Sequence, residues 1–493
     1  MTKVPELKYL IGTDGGQTVE LTPFLQRELS EPLYSQLYYW IKKEIEEGRL
    51  LPGIKLPSVR QLSTHLKVSR NTVEAAYQQL QSEGYLESVP KSGIWVAEIE
   101  KKPSMHPNEA EHPVMQECKP SREVLVDFEY GNVDLDKFPL KQWKKCLSDA
   151  VGQENNWLFE YSEKQGEFEL RREISTYLLQ SRGVRSTPEQ ILITAGTQTS
   201  MALICRILAL QGNTVAMEEP GYSGVRSVFE EQGCQIEPVP LEKDGLSMEH
   251  IQLSRAKAVY VTPSHQFPFG MILSISKRMR LLNWAYQTGG YIIEDDYDGE
   301  FRYRGQPIPS LKSLDEEEKV IYLGTFSKSF LPSLRLSYIV LPPSLMDHYS
   351  RTFAVYNQSV SPIIQRAMAL FMQSGEFERH IRRMRKQYQR KHQALLRSID
   401  QYLGTKVKIV GEKSGLHILL KLKGVSTIEL SEKGLQKGVK VYSPINFWLN
   451  PTPEGNSYIM LGFGGLSIEE IDKGVRLLAS CLYEEEIVDL ESN

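Results

Sequence analysis

Between positions 33 and 97 the apolar residues recur first with a helical period and then with a strand period. Leu33, Leu37, Trp40, Ile41 and Ile45 fall three or four apart, which predicts a helix with one apolar face and Gly48 as its stop. After Leu51-Pro52-Gly53 a shorter helix is predicted from Ser58, where Gln61 completes a capping box and Val59, Leu62 and Leu66 form the apolar stripe. Ser69 caps a third helix, with Val73, Ala76, Tyr77 and Leu80 on its inner face and Gly84 at its end. Residues 85–89 and 94–97 read as two strands around Pro90-Lys91-Ser92-Gly93, a hairpin wing. From 98 to 122 the prolines 103, 107, 113 and 120 break every period, and the stretch reads as a linker. Beyond it, up to residue 484, short apolar runs at 190–194, 214–217, 258–262, 291–294 and 320–323 alternate with helical segments. That alternation predicts an α/β domain with a largely parallel sheet and helices on both faces. Residues 1–30 are set apart as an N-terminal extension, and residues 1–20 carry no readable pattern.

Composition narrows this picture. With 41% hydrophobic and 24% charged residues in 493, the chain is expected to be globular and multidomain. Neither an apolar run long enough to span a bilayer nor a leader pattern in the first thirty residues is found, so a cytoplasmic protein without a membrane partner is expected. The five cysteines (118, 146, 205, 234 and 481) form no C-x-x-C pair, and neither a metal site nor a disulfide framework is expected. The formal charge of −4 argues against coating nucleic acid by bulk charge, yet residues 55–77 hold Lys55, Arg60, Lys67 and Arg70 against the single acid Glu74.

The joint of about three residues between the second and third helices is the helix-turn-helix arrangement, whose last helix presents its first turn to the major groove. Arg70, Asn71 and Thr72 occupy that turn, beside the capping Ser69. Arginine can bind guanine bidentately and asparagine can bind adenine, while Lys91 in the wing is placed for the phosphate backbone. The stretch resembles the GntR-type winged helix in L-P-S-V-R-Q-L (56–62), V-S-R-N-T-V (68–73), A-Y-Q-Q-L-Q-S-E-G-Y-L (76–86) and S-G-I-W-V (92–96). The resemblance implies double-stranded operator DNA as partner and Arg60, Ser69, Arg70, Asn71, Thr72 and Lys91 as the DNA-contacting set. A helical protein-interaction module is the competing reading.

In the longer part, unusual residues gather where strands end, which is where ligands bind in such folds. One strand runs into Ala195-Gly196-Thr197-Gln198-Thr199-Ser200, a small-residue turn whose amides suit a phosphate. Another ends in Glu294-Asp295-Asp296-Tyr297, acids that are costly to bury unless a cation or donors compensate them. A third leads to Thr325-Phe326-Ser327-Lys328-Ser329-Phe330, with a lysine among hydroxyl residues. Pyridoxal 5′-phosphate needs an amine, a carboxylate for its ring nitrogen, a phenol and a phosphate cup together. The segment resembles fold-type I aminotransferases, and the separation 328 − 295 = 33 residues suits that family. The resemblance implies a Schiff base at Lys328, Asp295 on the ring nitrogen, Tyr297 at the 3′-oxygen and Tyr222 stacked on the ring. Gly196, Thr197, Gln198, Thr325, Ser327 and Arg335 are the remaining cofactor-binding residues, chiefly toward the phosphate. For Asp296 a cofactor role and an ordinary acid both stay open.

Together the halves resemble the MocR (GabR-like) family, in V-S-R-N-T-V, T-P-S-H-Q-F-P, E-D-D-Y-D and G-T-F-S-K-S. That implies a bacterial transcription regulator that senses an amino acid, small peptide or amine through its aminotransferase-like domain and forms a head-to-tail homodimer. An active aminotransferase with an appended DNA-binding module is the alternative, and a repressor that never loads cofactor is a third reading. Two departures favour sensing over efficient turnover: Met460 stands where aminotransferases usually carry a carboxylate-binding arginine, and Phe267-Pro268-Phe269-Gly270 replaces the usual N-P-T-G. His265 and Gln266 lie in the same turn, His265 with a structural hydrogen bond expected of it.

Overall fold

A computed structural model describes residues 9–11, 17–19, 21–99, 124–152, 160–303, 308–353, 355–453 and 455–491, with side chains described for 21–99, 124–152, 160–303, 308–353, 355–453 and 455–482. Contacts divide the chain into two units, Met1–Lys119 and Pro120–Asn493. Nearly all of the expected linker, and Cys118, lie outside the described residues.

In the first unit, strands β1 (Tyr9–Ile11) and β2 (Gln17–Val19) precede helix α1 (Leu33–Glu46), strand β3 (Lys55–Leu56), helices α2 (Val59–Leu66) and α3 (Arg70–Ser82), and strands β4 (Leu86–Val89) and β5 (Gly93–Val96). The strands form one sheet in the order β1-β2-β3-β5-β4. Ser58 and Gln61 make the capping box in full, the Gln61 side chain accepting from the Ser58 amide at 2.9 Å. Leu37, Ile41, Leu62, Val73, Ala76, Tyr77 and Leu80 meet in a core that also takes in Leu21, from the stretch set apart as an extension. Strands β1 to β3 are too short, at two or three residues each, for alternation to be visible in the sequence. Tyr85 precedes the wing: after Gly84, at φ +80°, its amide turns back to the Leu80 carbonyl at 2.8 Å and closes the end of α3.

The second unit opens with β6 (Val126–Asp127), α4 (Leu140–Ala150) and α5 (Phe168–Arg182). Its large sheet is built from β7 (Ile191–Thr194), β8 (Thr214–Glu219), β9 (Gln235–Glu242), β10 (Gly245–Leu246), β11 (Ala258–Val261), β12 (Tyr291–Asp296), β13 (Val320–Thr325) and β14 (Ser337–Val340). Between these strands run α6 (Thr197–Ile207), α7 (Ser223–Glu231), α8 (Met248–Leu253), α9 (Ile275–Thr288) and the short α10 (Phe326–Ser329). The order is β10-β9-β8-β11-β12-β13-β14-β7, and β9 to β13 through β8, β11 and β12 are parallel. The strands β7, β11, β13 and β14 are buried at every position, the mark of a sheet covered on both faces.

The sheet is more mixed than the alternation predicts. β14 is antiparallel to both β13 and β7, because residues 326–336 between β13 and β14 are fewer than a parallel crossover needs. β12 also runs two residues past its expected end and takes in Asp295 and Asp296.

A smaller antiparallel sheet follows α11 (Pro343–Thr352), α12 (Pro362–Gln373) and the long α13 (Glu376–Tyr402). It consists of β15 (Val407–Val410), β16 (His417–Leu422) and, after α14 (Thr427–Gln436) and β17 (Val439–Lys440), β18 (Tyr458–Gly462); α15 (Ile468–Glu491) closes the chain. β17 pairs in parallel with β6, which ties the beginning of this unit to its last third. Among the described residues no helix is long and apolar enough to cross a membrane.

Candidate cofactor site and DNA-reading helix

In the first unit, α2 ends on Lys67 in the left-handed conformation, and two residues later Ser69 caps α3. The Ser69 hydroxyl accepts from the Thr72 amide at 3.1 Å and meets the Thr72 hydroxyl at 2.8 Å, so these two side chains shape the helix start. Arg70 and Asn71 stand exposed in the same turn, which carries no acid, and the positive end of the helix faces outward with them. Arg60 is exposed on α2, and Lys91 is exposed at the tip of the β4–β5 hairpin at φ +63°. The Tyr77 hydroxyl donates to the Pro57 carbonyl at 3.0 Å and braces α3 against the start of α2.

In the second unit a cavity of about 360 Å³ is lined by Thr197, Gln198, Tyr222, Asp295, Tyr297, Thr325, Ser327, Lys328 and Arg335. Every expected cofactor-binding residue is in that set except Gly196, which caps α6 immediately behind it. Tyr130, Gly131, Tyr260, Thr262, Phe267 and Pro332 complete the lining; Thr262 and Phe267 belong to the T-P-S-H-Q-F-P stretch, while nothing local in the sequence marks out the other four. The volume is within the range of small-molecule sites.

One end of the cavity suits an anion. Gly196 adopts φ +102°, and a Cβ there would run into the Arg335 guanidinium, so a glycine lets the arginine lie on the N-terminus of α6. Thr325 and Ser327 add hydroxyls; the Thr325 oxygen accepts from the Ser327 amide at 3.2 Å and from the Ser337 hydroxyl at 2.8 Å.

At the other end the two neighbouring aspartates part company, as adjacent residues on a strand must. Asp296 turns to Arg182, 2.5 Å from its Nε, and accepts from the Tyr322 hydroxyl at 2.6 Å, away from the cavity. Asp295 faces the cavity. Its Oδ2 accepts from the Tyr260 hydroxyl at 2.6 Å, while its buried Oδ1 has no hydrogen-bond partner among the described residues. Burial, with Asp296, Asp298 and Glu294 close by, pushes its carboxyl up to about 7 against the pull of Tyr260. A buried, unsatisfied carboxylate oxygen costs free energy unless a donor meets it. A protonated pyridine nitrogen is such a donor, and the lining residues therefore fit the cofactor that the sequence implies.

Lys328 occupies the short return between β13 and β14. Its Nζ lies 3.8 Å from the centroid of the Tyr130 ring, and Gly131 beside it leaves room that a side chain would crowd. Burial lowers its ammonium to about 8, with Asp298 and Glu129 working the other way. A neutral amine is the nucleophile toward an aldehyde, and its fraction grows as pH rises through that value. The uptake rate of pyridoxal phosphate by apoprotein is accordingly expected to climb about tenfold per pH unit below 8 and to level off above it. Stopped-flow absorbance reads this directly, and a flat profile from pH 6 to 8 contradicts it.

Tyr297 lines the cavity, its hydroxyl donating to the His265 carbonyl at 3.0 Å and lying 2.9 Å from His265 Nδ1. The same imidazole nitrogen is 2.9 Å from the Asp298 carboxylate, so His265 joins the tyrosine to a buried acid. Met460 sits on β18 opposite Leu419, buried among Phe267, Trp448 and Tyr458. An apolar cluster thus surrounds Met460.

Residues 33–96 match the family model of bacterial regulatory proteins of the gntR family, and residues 123–450 match that of aminotransferase class I and II. MocR of Rhizobium meliloti, a probable rhizopine catabolism regulatory protein, is 32% identical over 470 residues, covering 92% of this chain and 95% of its own. The chain belongs to the MocR family. Its relatives include the HTH-type transcriptional regulator YdeL of Bacillus subtilis, 42% identical over 93% of this chain and 99% of its own. The pyridoxine biosynthesis regulator PdxR of Corynebacterium glutamicum is 31% identical over 87% and 91%. Among solved structures, the α-aminoadipate aminotransferase LysN of Thermus thermophilus is similar to the MocR-family chain with a TM-score of 0.66 at 27% identity, over 74% of this chain and 93% of its own. It was solved with N-(5′-phosphopyridoxyl)-L-leucine. The kynurenine aminotransferase of Pyrococcus horikoshii gives 0.65 at 26% identity, over 73% and 91%. The MocR-family chain is therefore an HTH-type transcriptional regulator with an aminotransferase-fold domain.

Proposed function

We propose that this regulator carries pyridoxal 5′-phosphate in the cavity of its second unit and uses it to sense an amino-group effector. The observation that carries the reading is the unpartnered Asp295 Oδ1 in the cavity that also holds Lys328. Bound there, the cofactor supplies an aldehyde that links reversibly to primary amines. The chain's own residues do the rest. Arg335, Thr197, Gln198, Thr325 and Ser327 would hold the phosphate, Tyr222 would lie against the ring, and Asp295 would accept from the ring nitrogen. Tyr260 keeps Asp295 oriented, and Tyr297, fixed by His265, presents its phenol to the ring oxygen. Lys328 would supply the amine that holds the cofactor, and its Nζ in the cavity would be placed to take or return a proton.

Met460 provides no guanidinium for a substrate carboxylate, so an amino acid is held less rigidly than in an enzyme and turnover is slow compared with binding. Amino acids, small peptides and amines all remain effector candidates. The resemblance also supports a head-to-tail homodimer, in which a ligand-dependent shift between two arrangements changes the spacing of the reading heads on operator DNA. Arg60, Arg70, Asn71, Thr72, Ser69 and Lys91 are the proposed DNA-facing set, with Arg70 and Asn71 on the bases.

Arg70→Ala is expected to weaken operator binding by about 1–3 kcal/mol, roughly five- to 150-fold, and to relax the preference at one base pair. Gel shifts with the natural and the base-substituted operator read both effects. Equal binding by the variant removes Arg70 from the groove. For the sensing step, the test is an absorbance titration of holoprotein with candidate amines, run beside a footprint on the DNA upstream of its gene; absorbance changes without any change in footprint go against regulation by this site.

A further inference from the structure

From Arg379 to Ile399, α13 carries eight lysines and arginines and no acid, in a chain whose net charge is −4. The inner face of the helix is apolar, with Phe377, Ile381, Met384, Tyr388, Leu395 and Ile399 buried. Two of its cations turn inward. Lys391 pairs with Asp134 at 2.7 Å and Arg385 donates to the Glu300 carbonyl at 2.9 Å. Arg379 is paired with Glu376 at 2.9 Å.

The remaining five, Arg382, Arg383, Lys386, Arg390 and Arg397, are exposed. None of them has an ion-pair or hydrogen-bond partner among the described residues. Positions 383, 386, 390 and 397 fall on one stripe, which at 1.5 Å per residue runs for about 21 Å. Glu376 and Glu378 lie at the N-terminal end of the helix and Asp400 beyond the stripe, so nothing on the helix neutralises its middle. A merely solvated face usually mixes the two signs, and like charges three or four apart weaken the helix that bears them.

A row of fixed cations of this length fits a regularly spaced polyanion. Duplex DNA offers one phosphate per 3.4 Å on each strand, about six along 21 Å, and four of the five residues are arginines, whose fork matches phosphate oxygens. We propose that the exposed face of α13 binds the phosphate backbone of double-stranded DNA, as a sequence-independent contact on the aminotransferase-like unit that is separate from the reading head.

The test uses the full chain in an Arg70→Ala background, so that the reading head contributes less, and a labelled random-sequence duplex of about 60 base pairs at several salt concentrations. R382Q/R383Q/K386Q/R390Q is expected to bind at least tenfold more weakly at about 0.1 M salt. Its plot of log affinity against log salt is expected to flatten by roughly 2–4, at about 0.9 for each phosphate that is no longer neutralised. R382K/R383K/R390K keeps the charge and most of the slope. Should the quadruple variant fail to fold, Lys386→Gln and Arg390→Gln singly are each expected to lower the slope by about 0.9. Unchanged slopes in the glutamine variants, or a drop as large in the lysine variant, overturn the proposal.

Discussion

A Lys328→Ala chain is expected to show no pyridoxal-phosphate adduct after borohydride reduction and to hold the cofactor on the order of 100-fold more weakly than the natural chain. The lysine stands in the cavity beside the residues proposed for ring and phosphate, and its amine is enclosed by Tyr130 and held to about 8 by burial. Removing it leaves Arg335 and the α6 N-terminus for the phosphate, so weak, non-covalent binding persists. Mass spectrometry of the reduced protein reads the adduct, and an absorbance titration reads the affinity. The variant is expected to keep its hold on DNA in the absence of effector while losing any response to amines. An adduct on a different lysine, or equal cofactor affinity in both chains, goes against the site.

Arg182→Met is expected to cost about 3–5 kcal/mol of stability, the usual effect of deleting one partner of a buried ion pair. Arg182 ends α5 and is itself buried, donating to Asp296 at 2.5 Å and to the Ser264 hydroxyl at 2.7 Å. Burial opposes its charge, yet Asp296, Glu294 and Glu300 raise its basicity well above the ordinary value. Without it Asp296 keeps Tyr322 as donor and stands near other acids, two of which, Glu294 and Glu300, desolvation already pushes up to about 7. Urea unfolding of the apoprotein measures the loss, and adding Asp296→Asn is expected to recover part of it because the uncompensated charge is then gone. A loss below about 1 kcal/mol would mean that water or another cation reaches the carboxylate.

The contrast between the two aspartates shows where reading the sequence succeeds and where it stops. The run Glu294-Asp295-Asp296 announces buried acids at a strand end, but a strand sends successive side chains to opposite faces. Which of them meets the ligand depends on the sheet around it: Tyr260 from β11 claims Asp295, and Arg182 from α5 claims Asp296. The reading helix is local enough to follow closely, since caps, apolar spacing and stops are all properties of neighbouring residues, as with Ser58, Gln61 and Ser69. The cavity is different. Tyr130 reaches Lys328 from nearly two hundred positions away, and Tyr260 looks like an ordinary strand residue until the fold gathers it. Strands of two or three residues, such as Lys55–Leu56, escape detection because a period of two needs several repeats to be seen.

The eleven residues that return β13 to β14 leave little slack in the chain on either side of Lys328. Hydrogen-bonded strands fasten both ends of that loop, so the amine works from a rigid anvil. Movement started by a ligand has to depart through whatever rests against the lysine. Tyr130 rests there, three residues after β6, which is laced to β17 near the other end of the domain. An occupied pocket would therefore press on Tyr130 and, through β6, on its partner strand β17.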